Sequence, residues 1–427
     1  MGFAALWESL LPLGRDNSTG GYRRFSWTPA GAACRSWFRD AAAERGLRSS
    51  TDRNGNLWAW WDPPPAEAAP EHGAAPSARD GAPAWSPGPG AIVTGSHLDS
   101  VPDGGAFDGP LGVVTAFAAI DALRERGHHN PRHRVAVAAF TEEEGARFGV
   151  ACLGSRLLTG VIDPARVRAL PDADGITLAA AMTAAGHDPD AMGPDETLLA
   201  GIAAYVELHI EQGRALGDLG AAVGLASGIW PHGRWRLAFT GRADHAGTTR
   251  LADRHDPMLP CAAAILAARD AAAGHEGLAT VSKLIPEPGG VNGISSRVTA
   301  WLDARAPDEP RLHGLVGQVL AAARAAAAAH GVDLDTSQES VTPAVEFHAG
   351  LRDRLAGVLG AGGTGVPVLD TGAGHDAGVL AARVPAAMLF VRNPSGVSHS
   401  PAEHADRADC LAGVAALAAV LEDLACR

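Results

Sequence analysis

Four stretches of this chain gather histidine and acid in patterns suited to divalent metal ions. In GSHLDSVPDGGAFDG, His97 closes an apolar run, Asp99 follows two residues on, and Asp108 lies in a glycine-rich loop. Neutral imidazole and carboxylate both bind Zn²⁺ or Mn²⁺, and an aspartate has two oxygens with which to bridge a pair of ions. Asp99 stands at period-two spacing from His97, placed to accept the imidazole's other N–H and fix its tautomer. Glu142, Glu143 and Glu144 follow RVAVAAF; adjacent carboxylates near a buried site are costly unless cations compensate them. YVELHIEQG alternates apolar and polar residues, so Glu207, His209 and Glu211 share a face. GVSHSPAE sets His399 in a turn-rich loop. Each stretch has a plainer reading by itself: a loop polar residue, a solvated acidic run, a polar strand face. Together they favour a metal centre.

Such a centre needs strand ends to hold it. Leu57–Trp61, AIVTGS from Ala91, and RVAVAAF read as strands, with a helix starting near Pro110 and helical sequence from about Leu153. Alternating strand and helix predicts an α/β sheet, whose strand ends gather sites. Residues 62–90, rich in Pro, Ala and Gly, read as a mobile surface insertion. After Glu211-Gln212-Gly213 the pattern changes: strand 234–240, helix 257–273, strands 279–285 and 297–303, helix 311–330 and strand 332–336. That β-α-β-β-α-β order predicts a ferredoxin-like layer over 214–341, inserted in a domain formed by 1–213 and 342–427. The apolar strand 386–391 and helix 407–425 return to complete the first sheet.

At 427 residues the chain is long for one core, so two domains fit its length. A net charge of −13 without a long Lys/Arg run excludes nucleic acid as a partner. Cys34, Cys152, Cys261, Cys410 and Cys426 lack CxxC spacing, so no disulfide framework or thiolate zinc site is expected, and a reducing cytoplasm suits them. MGFAALWESLLPLGRD is a poor signal peptide, and no segment is expected to span or anchor to a membrane.

The ordered motifs GSHLDSVPDGGAFDG, TEEEGARF, YVELHIEQG, ADHAGTT, TGAGHDAG and GVSHSPAE resemble those of the M20 metallopeptidase-like amidohydrolases, in the branch of allantoate amidohydrolase, N-carbamoyl-L-amino acid hydrolase and β-ureidopropionase. The resemblance runs over nearly the whole chain. It implies an α/β, mixed-sheet di-metal catalytic domain of the M20 aminopeptidase-like type with an inserted ferredoxin-like α+β domain. It implies His97 and His209 on one metal, Asp108 bridging, Glu144 and His399 on the other, and Glu143 as the base; the family's first motif also carries an acid at the position of Asp99. The metals are two divalent ions, Zn or Mn, with Co or Ni also suited to these ligands. A water between them is acidified, and Glu143 takes its proton as it attacks a ureido carbonyl. In relatives the residue matching His245 completes the neighbouring subunit's site as an oxyanion donor, which implies a homodimer. Asn292 and Arg305 match positions that hold a substrate carboxylate, and Gly374 lies in a small-residue loop able to approach the ligand.

The resemblance thus implies hydrolysis of a C–N bond in a small ureido or carbamoyl compound bearing a carboxylate, with release of ammonia. Trp230, Pro231, His232 and Gly233 stand where allantoate hydrolases tend to have a Gly-Gln-Arg arrangement, a departure that counts against allantoate; it still leads as the expected substrate, with N-carbamoyl-L-amino acids and N-carbamoyl-β-alanine close behind, and His232 is a candidate contact to a polar substrate end. The competing readings are an M20 aminoacylase or dipeptidase acting on an amide, against which His209 stands where peptidases more often use an acid, and a non-catalytic binding scaffold.

Overall fold

The computed structural model describes residues 2–63, 85–361 and 365–427. Most of the expected 62–90 insertion lies outside the described residues. The chain forms two compact units, Met1–Ser227 with Glu346–Arg427, and Gly228–Val345.

The first unit is built on a mixed sheet. Its strands run in the order Arg48–Thr51, Leu57–Trp61, Val135–Phe140, Ala91–His97, Ile202–Ile210, Ala386–Val391 and Val223–Ile229, and the short strands Val345–Glu346 and Val368–Thr371 bring the total to nine. The four central strands, from Val135–Phe140 to Ala386–Val391, are mutually parallel and buried throughout. Their uninterrupted apolar character follows from cover on both faces. On one face helix Pro110–Glu125 packs against helix Arg407–Leu421 and the strands, burying Val113, Phe117 and Leu417. Each such side chain contributes about 1.5–3 kcal/mol. Gly109 starts the first of these helices at φ +82, a left-handed conformation that favours glycine, and Pro110 supplies a pre-set helical φ.

The units divide later than the 213/214 and 341/342 boundaries expected. Helix Ala215–Leu219 stays with the first unit, as does most of Val223–Ile229, because Val223, Gly224 and Leu225 pair with Val391, Phe390 and Leu389. Glu211 does not continue the ligand-like face either. The strand ends at Ile210, and Glu211 accepts hydrogen bonds from Ala215 N at 2.6 Å and Leu216 N at 3.0 Å at the start of that helix.

The second unit has a four-stranded antiparallel sheet, ordered Asp333–Thr342, His232–Thr240, Arg297–Arg305, Leu278–Glu287. In chain order this is 4-1-3-2, the ferredoxin-like arrangement, with helices Met258–Gly274 and Glu309–Ala329 packed on each other. Contrary to the expectation that no segment qualifies, Glu309–Ala329 is long and apolar enough by composition to cross a membrane. In the fold its apolar stripe, Leu312, Leu315, Val319 and Ala323, joins Phe239, Val298 and Leu302 in this unit's core.

Candidate metal centre and active site

The site forms where the parallel strands end. His97 is the last residue of Ala91–His97, the acid loop 142–144 follows Val135–Phe140, His209 lies at the end of Ile202–Ile210, and His399 is in the loop after Ala386–Val391. This is where side chains from neighbouring parallel strands converge in α/β sheets. Asp108 is the hub. Its Oδ1 lies 3.5 Å from His97 Nε2 and 3.2 Å from His209 Nε2, while Oδ2 lies 3.4 Å from His399 Nε2. Glu144 is 3.6 Å from His399, and Glu143 is 3.6 Å from His97. The donor atoms of His97, Asp108 and His209 fall within 4.8 Å of one another, as do those of Asp108, Glu144 and His399. These are two metal-sized groups that share one aspartate. A third group, Glu207, His209 and His375, overlaps the first, with the His375 ring 4.5 Å from that of His209.

The tautomers suit cations. His209 directs Nδ1 at the Ile210 carbonyl, 2.8 Å away, and His97 directs Nδ1 at the Asp99 carbonyl, 3.1 Å away. If each Nδ1 donates there, each Nε2 keeps its lone pair: that of His209 accepts from Gly109 N at 3.2 Å beside Asp108, and that of His97 faces Asp108. Lone pairs facing a carboxylate repel unless a proton or metal lies between them. The buried His97 Nε2 and Glu144 Oε1 have no hydrogen-bond partner, as expected of ligand atoms. Without metal, protons fill the role. Burial alone would lower the pKa of His97, but Glu143, Asp108 and Asp99 outweigh it and hold it well above its usual value. The hydrogen bond to Asp108 leads the causes that raise His399 to about 9. Burial, reinforced by Asp99 and opposed by His97, pushes Glu143 up to about 7, and burial beside Asp108 and Glu143 holds Glu144 well above its usual value. The donor set fits two divalent cations, which would displace these protons.

Asp99 departs in detail from its expected role. The His97 ring meets its backbone carbonyl, and the carboxylate is farther, at 3.6 Å. That carboxylate instead accepts the Glu143 and Glu144 amides at 3.2 and 3.1 Å, fixing the acid loop. Glu142 and His399 adopt left-handed φ values of 58 and 54, a strain of about 1–2 kcal/mol per residue that the surrounding bonds sustain. His399 is also the open side of the centre: its side chain is 51% exposed, against 8% or less for His97, Asp108, Glu143, Glu144 and His209.

Several participants were missed from the sequence. Gln212 donates to Asp108 Oδ2 at 2.8 Å and Ser398 to the same oxygen at 3.3 Å. Glu403 accepts the Phe107 and Asp108 amides at 2.9 and 3.0 Å, tying the His399 loop to the Asp108 loop. Cys152 donates to Glu143 Oε1 at 3.1 Å. Gln212 and Glu403 both stand inside quoted motifs, and that was their only signal.

Gly374 lies between strand Val368–Thr371 and helix Asp376–Leu380, in a turn where the Ala373 amide donates to Thr371 Oγ1. His232, His245, Asn292 and Arg305 belong to the second unit. His232 pairs in register with Arg305 at one end of its sheet, and Arg305 donates to Asp303 at 3.0 Å. His245 pairs with Gly293 beyond the opposite end, where Ala246 N donates to the Asn292 carbonyl at 3.1 Å. The nine-residue strand between them separates the pairs by roughly 26 Å. His245 Nδ1 accepts from Gly247 N at 2.9 Å, so a neutral ring carries its proton on Nε2.

Parallel strand ends, a carboxylate shared by two imidazole-and-acid groups, and a further buried acid beside them define a metal-dependent hydrolase. The chain belongs to peptidase family M20/M25/M40, whose model matches residues 93–423. It is 35% identical over 419 residues to the N-carbamoyl-L-amino acid amidohydrolase of Geobacillus stearothermophilus, covering 96% of each chain. It is 30% identical to the allantoate amidohydrolase of Escherichia coli K12, covering 95% of this chain and 93% of that one. Among solved structures, a hydantoinase/carbamoylase family amidase from Burkholderia vietnamiensis matches with a TM-score of 0.85 at 28% identity, over 100% of this chain and 98% of that one. The family and fold expected from the motifs are those found, and with them an enzyme that hydrolyses carbon–nitrogen bonds.

Proposed function

We propose that this chain hydrolyses the ureido group of a small N-carbamoyl or allantoate-like carboxylate and releases ammonia. The observation that carries this is the sharing of Asp108 between two ligand groups with buried Glu143 alongside; the named relatives supply the substrate class. His97, Asp108 and His209 would hold one divalent ion and Asp108, Glu144 and His399 the other, with Zn or Mn as occupants and Co or Ni as alternatives. Bound there, such ions polarise a carbonyl and make water easier to deprotonate. Glu143, held near pKa 7 in the absence of metal, takes the proton of the attacking water and passes it to the departing nitrogen. Loss of ammonia leaves a carbamate, which breaks down.

Arg305 and Asn292 hold the substrate carboxylate, His232 meets a polar substrate end, and the small-residue loop at Gly374 lets backbone N–H groups approach the ligand. His245 offers Nε2–H to the developing oxyanion of a neighbouring copy. A small substrate cannot touch both His232–Arg305 and His245–Asn292 of one copy across roughly 26 Å of sheet. This supports a homodimer whose two copies contribute to each site. Helix Met258–Gly274 exposes Leu259, Ile265 and Leu266, a surface suited to a second copy. The enzyme works in the cytoplasm, a compartment suited to its five free cysteines.

The test is a panel of N-carbamoyl-L-amino acids, N-carbamoyl-β-alanine, allantoate and matched N-acetyl compounds, with Mn²⁺- or Zn²⁺-loaded protein and ammonia and free amine as readouts. Ammonia from ureido substrates is expected. Turnover of the acetyl series alone would make the protein an aminoacylase, and no turnover with both metals bound would make it a scaffold.

A further inference from the structure

Arg24, Trp27, Cys34, Arg35, Leu98 and Asp99 are among the residues lining a cavity of about 30 Å³ that includes none of the five metal-ligand candidates. Three of them keep a buried N–H group with no hydrogen-bond partner: Arg24 Nη1, Trp27 Nε1 and Arg35 Nη2. Arg24, 1% exposed, gives Nε to the Leu13 carbonyl at 2.8 Å and Nη2 to the Leu10 carbonyl at 3.3 Å, and lies 4.0 Å from the Tyr22 ring centre. Arg35 gives Nη1 to the Gly55 carbonyl at 2.6 Å and lies 5.3 Å from the Trp27 ring centre. Carbonyls and ring faces solvate a guanidinium without neutralising it.

The nearby carboxylates are committed elsewhere. Asp52 accepts the Asn54 and Asn56 amides, Asn56 Nδ2 and Trp58 Nε1. Asp99, the one acid lining the cavity, gives its two oxygens to the Glu143 and Glu144 amides. The lining thus holds two arginines and one engaged carboxylate, and a buried charge without a counterion costs several kcal/mol. The strain registers on Arg35, whose pKa burial lowers to about 10. The cavity has room for a few water-sized particles, which suits a halide better than sulfate, phosphate or a nucleotide.

We propose that Arg24, Trp27 and Arg35 bind a single halide-sized monovalent anion, chloride in the cell. The anion supplies the missing negative charge and accepts the three orphaned N–H groups. It also braces the 24–35 segment against the loop carrying Asp99, which the Arg24 amide already reaches through Ser100 Oγ at 3.0 Å.

The test uses the full-length, metal-loaded protein with chloride exchanged for gluconate, an anion too large for the cavity, at constant ionic strength. Chloride is expected to raise Tm saturably by about 2–4 °C. Trp27→Phe, which removes the indole N–H together with one ring of the bicycle, should raise the chloride midpoint about fivefold, and Arg35→Met should abolish the response. Crystals grown in bromide should show an anomalous peak in contact with both guanidiniums. Only ordered water in the cavity would overturn the assignment. So would a bromide peak without a saturable chloride response, which means binding at crystal concentration only, or an equal response in wild type and Arg35→Met. Should Arg35→Met fail to fold, the Trp27→Phe midpoint and the bromide peak decide.

Discussion

Glu143 is the residue on which the chemistry turns, since its carboxylate lies 3.6 Å from His97 and belongs to neither ligand group. Glu143→Gln keeps the shape and removes the proton acceptor. It should retain both metals by elemental analysis and lose at least about 100-fold in kcat; near-wild-type turnover would remove Glu143 from the role. The same cluster sets the pH behaviour of metal-free protein. An acid whose pKa rises on folding from 4.5 to about 7, like Glu143, binds protons more tightly when folded, so stability falls as pH rises through that window. His399, raised from 6.5 to about 9, contributes stability below pH 6.5 that is lost as pH climbs to 9. Both signs agree. Calorimetry of chelator-treated protein should show Tm declining from pH 5 to 9, and Mn²⁺ or Zn²⁺ should flatten the decline while releasing protons on binding.

At the scale of elements, the junction between the Asp108 loop and helix Pro110–Glu125 is set by Gly109. Any side chain there must adopt a left-handed φ, and its Cβ would run into the His97 ring. Gly109→Ala should therefore weaken metal binding at the His97–His209 pair more than at the Glu144–His399 pair, read by competition with a chromophoric chelator. Equal loss at both would show that the strain spreads through Asp108. The strands carrying the ligands were legible because buried parallel strands are apolar runs and their ends hold polar residues that no core would otherwise tolerate. Alternation fails where a strand stops. Glu207 and Glu211 look equivalent by period two, yet Ile210 ends the strand and Glu211 caps a helix. The domain boundary slipped for a related reason: Val223–Ile229 reads as any amphipathic strand, and only its pairing with Ala386–Val391 assigns it to the first sheet. Glu403 and Gln212 escaped because they act on Asp108 through hydrogen bonds across the fold, which leave no periodicity.

For the molecule as a whole, the proposed sharing of sites makes a prediction about mixtures. His245→Ala and Asp108→Asn should each be inactive alone. Random heterodimers would carry one site with an intact Asp108 and an intact neighbouring His245, restoring about a quarter of wild-type activity. No recovery, with heterodimers demonstrated by mass, would mean that each copy works alone.

The position of Ala386–Val391 has a consequence for biosynthesis. This late strand lies between Ile202–Ile210 and Val223–Ile229, in the interior of the sheet. While the ribosome is still extending the chain through the inserted unit, the Ile202–Ile210 strand presents a bare, apolar edge. His399 emerges later still, so the nascent polypeptide holds an incomplete ligand set until most of its 427 residues are made. Premature release before residue 386 would leave a sticky, half-paired sheet, making translation arrest ahead of that strand a direct route to aggregation.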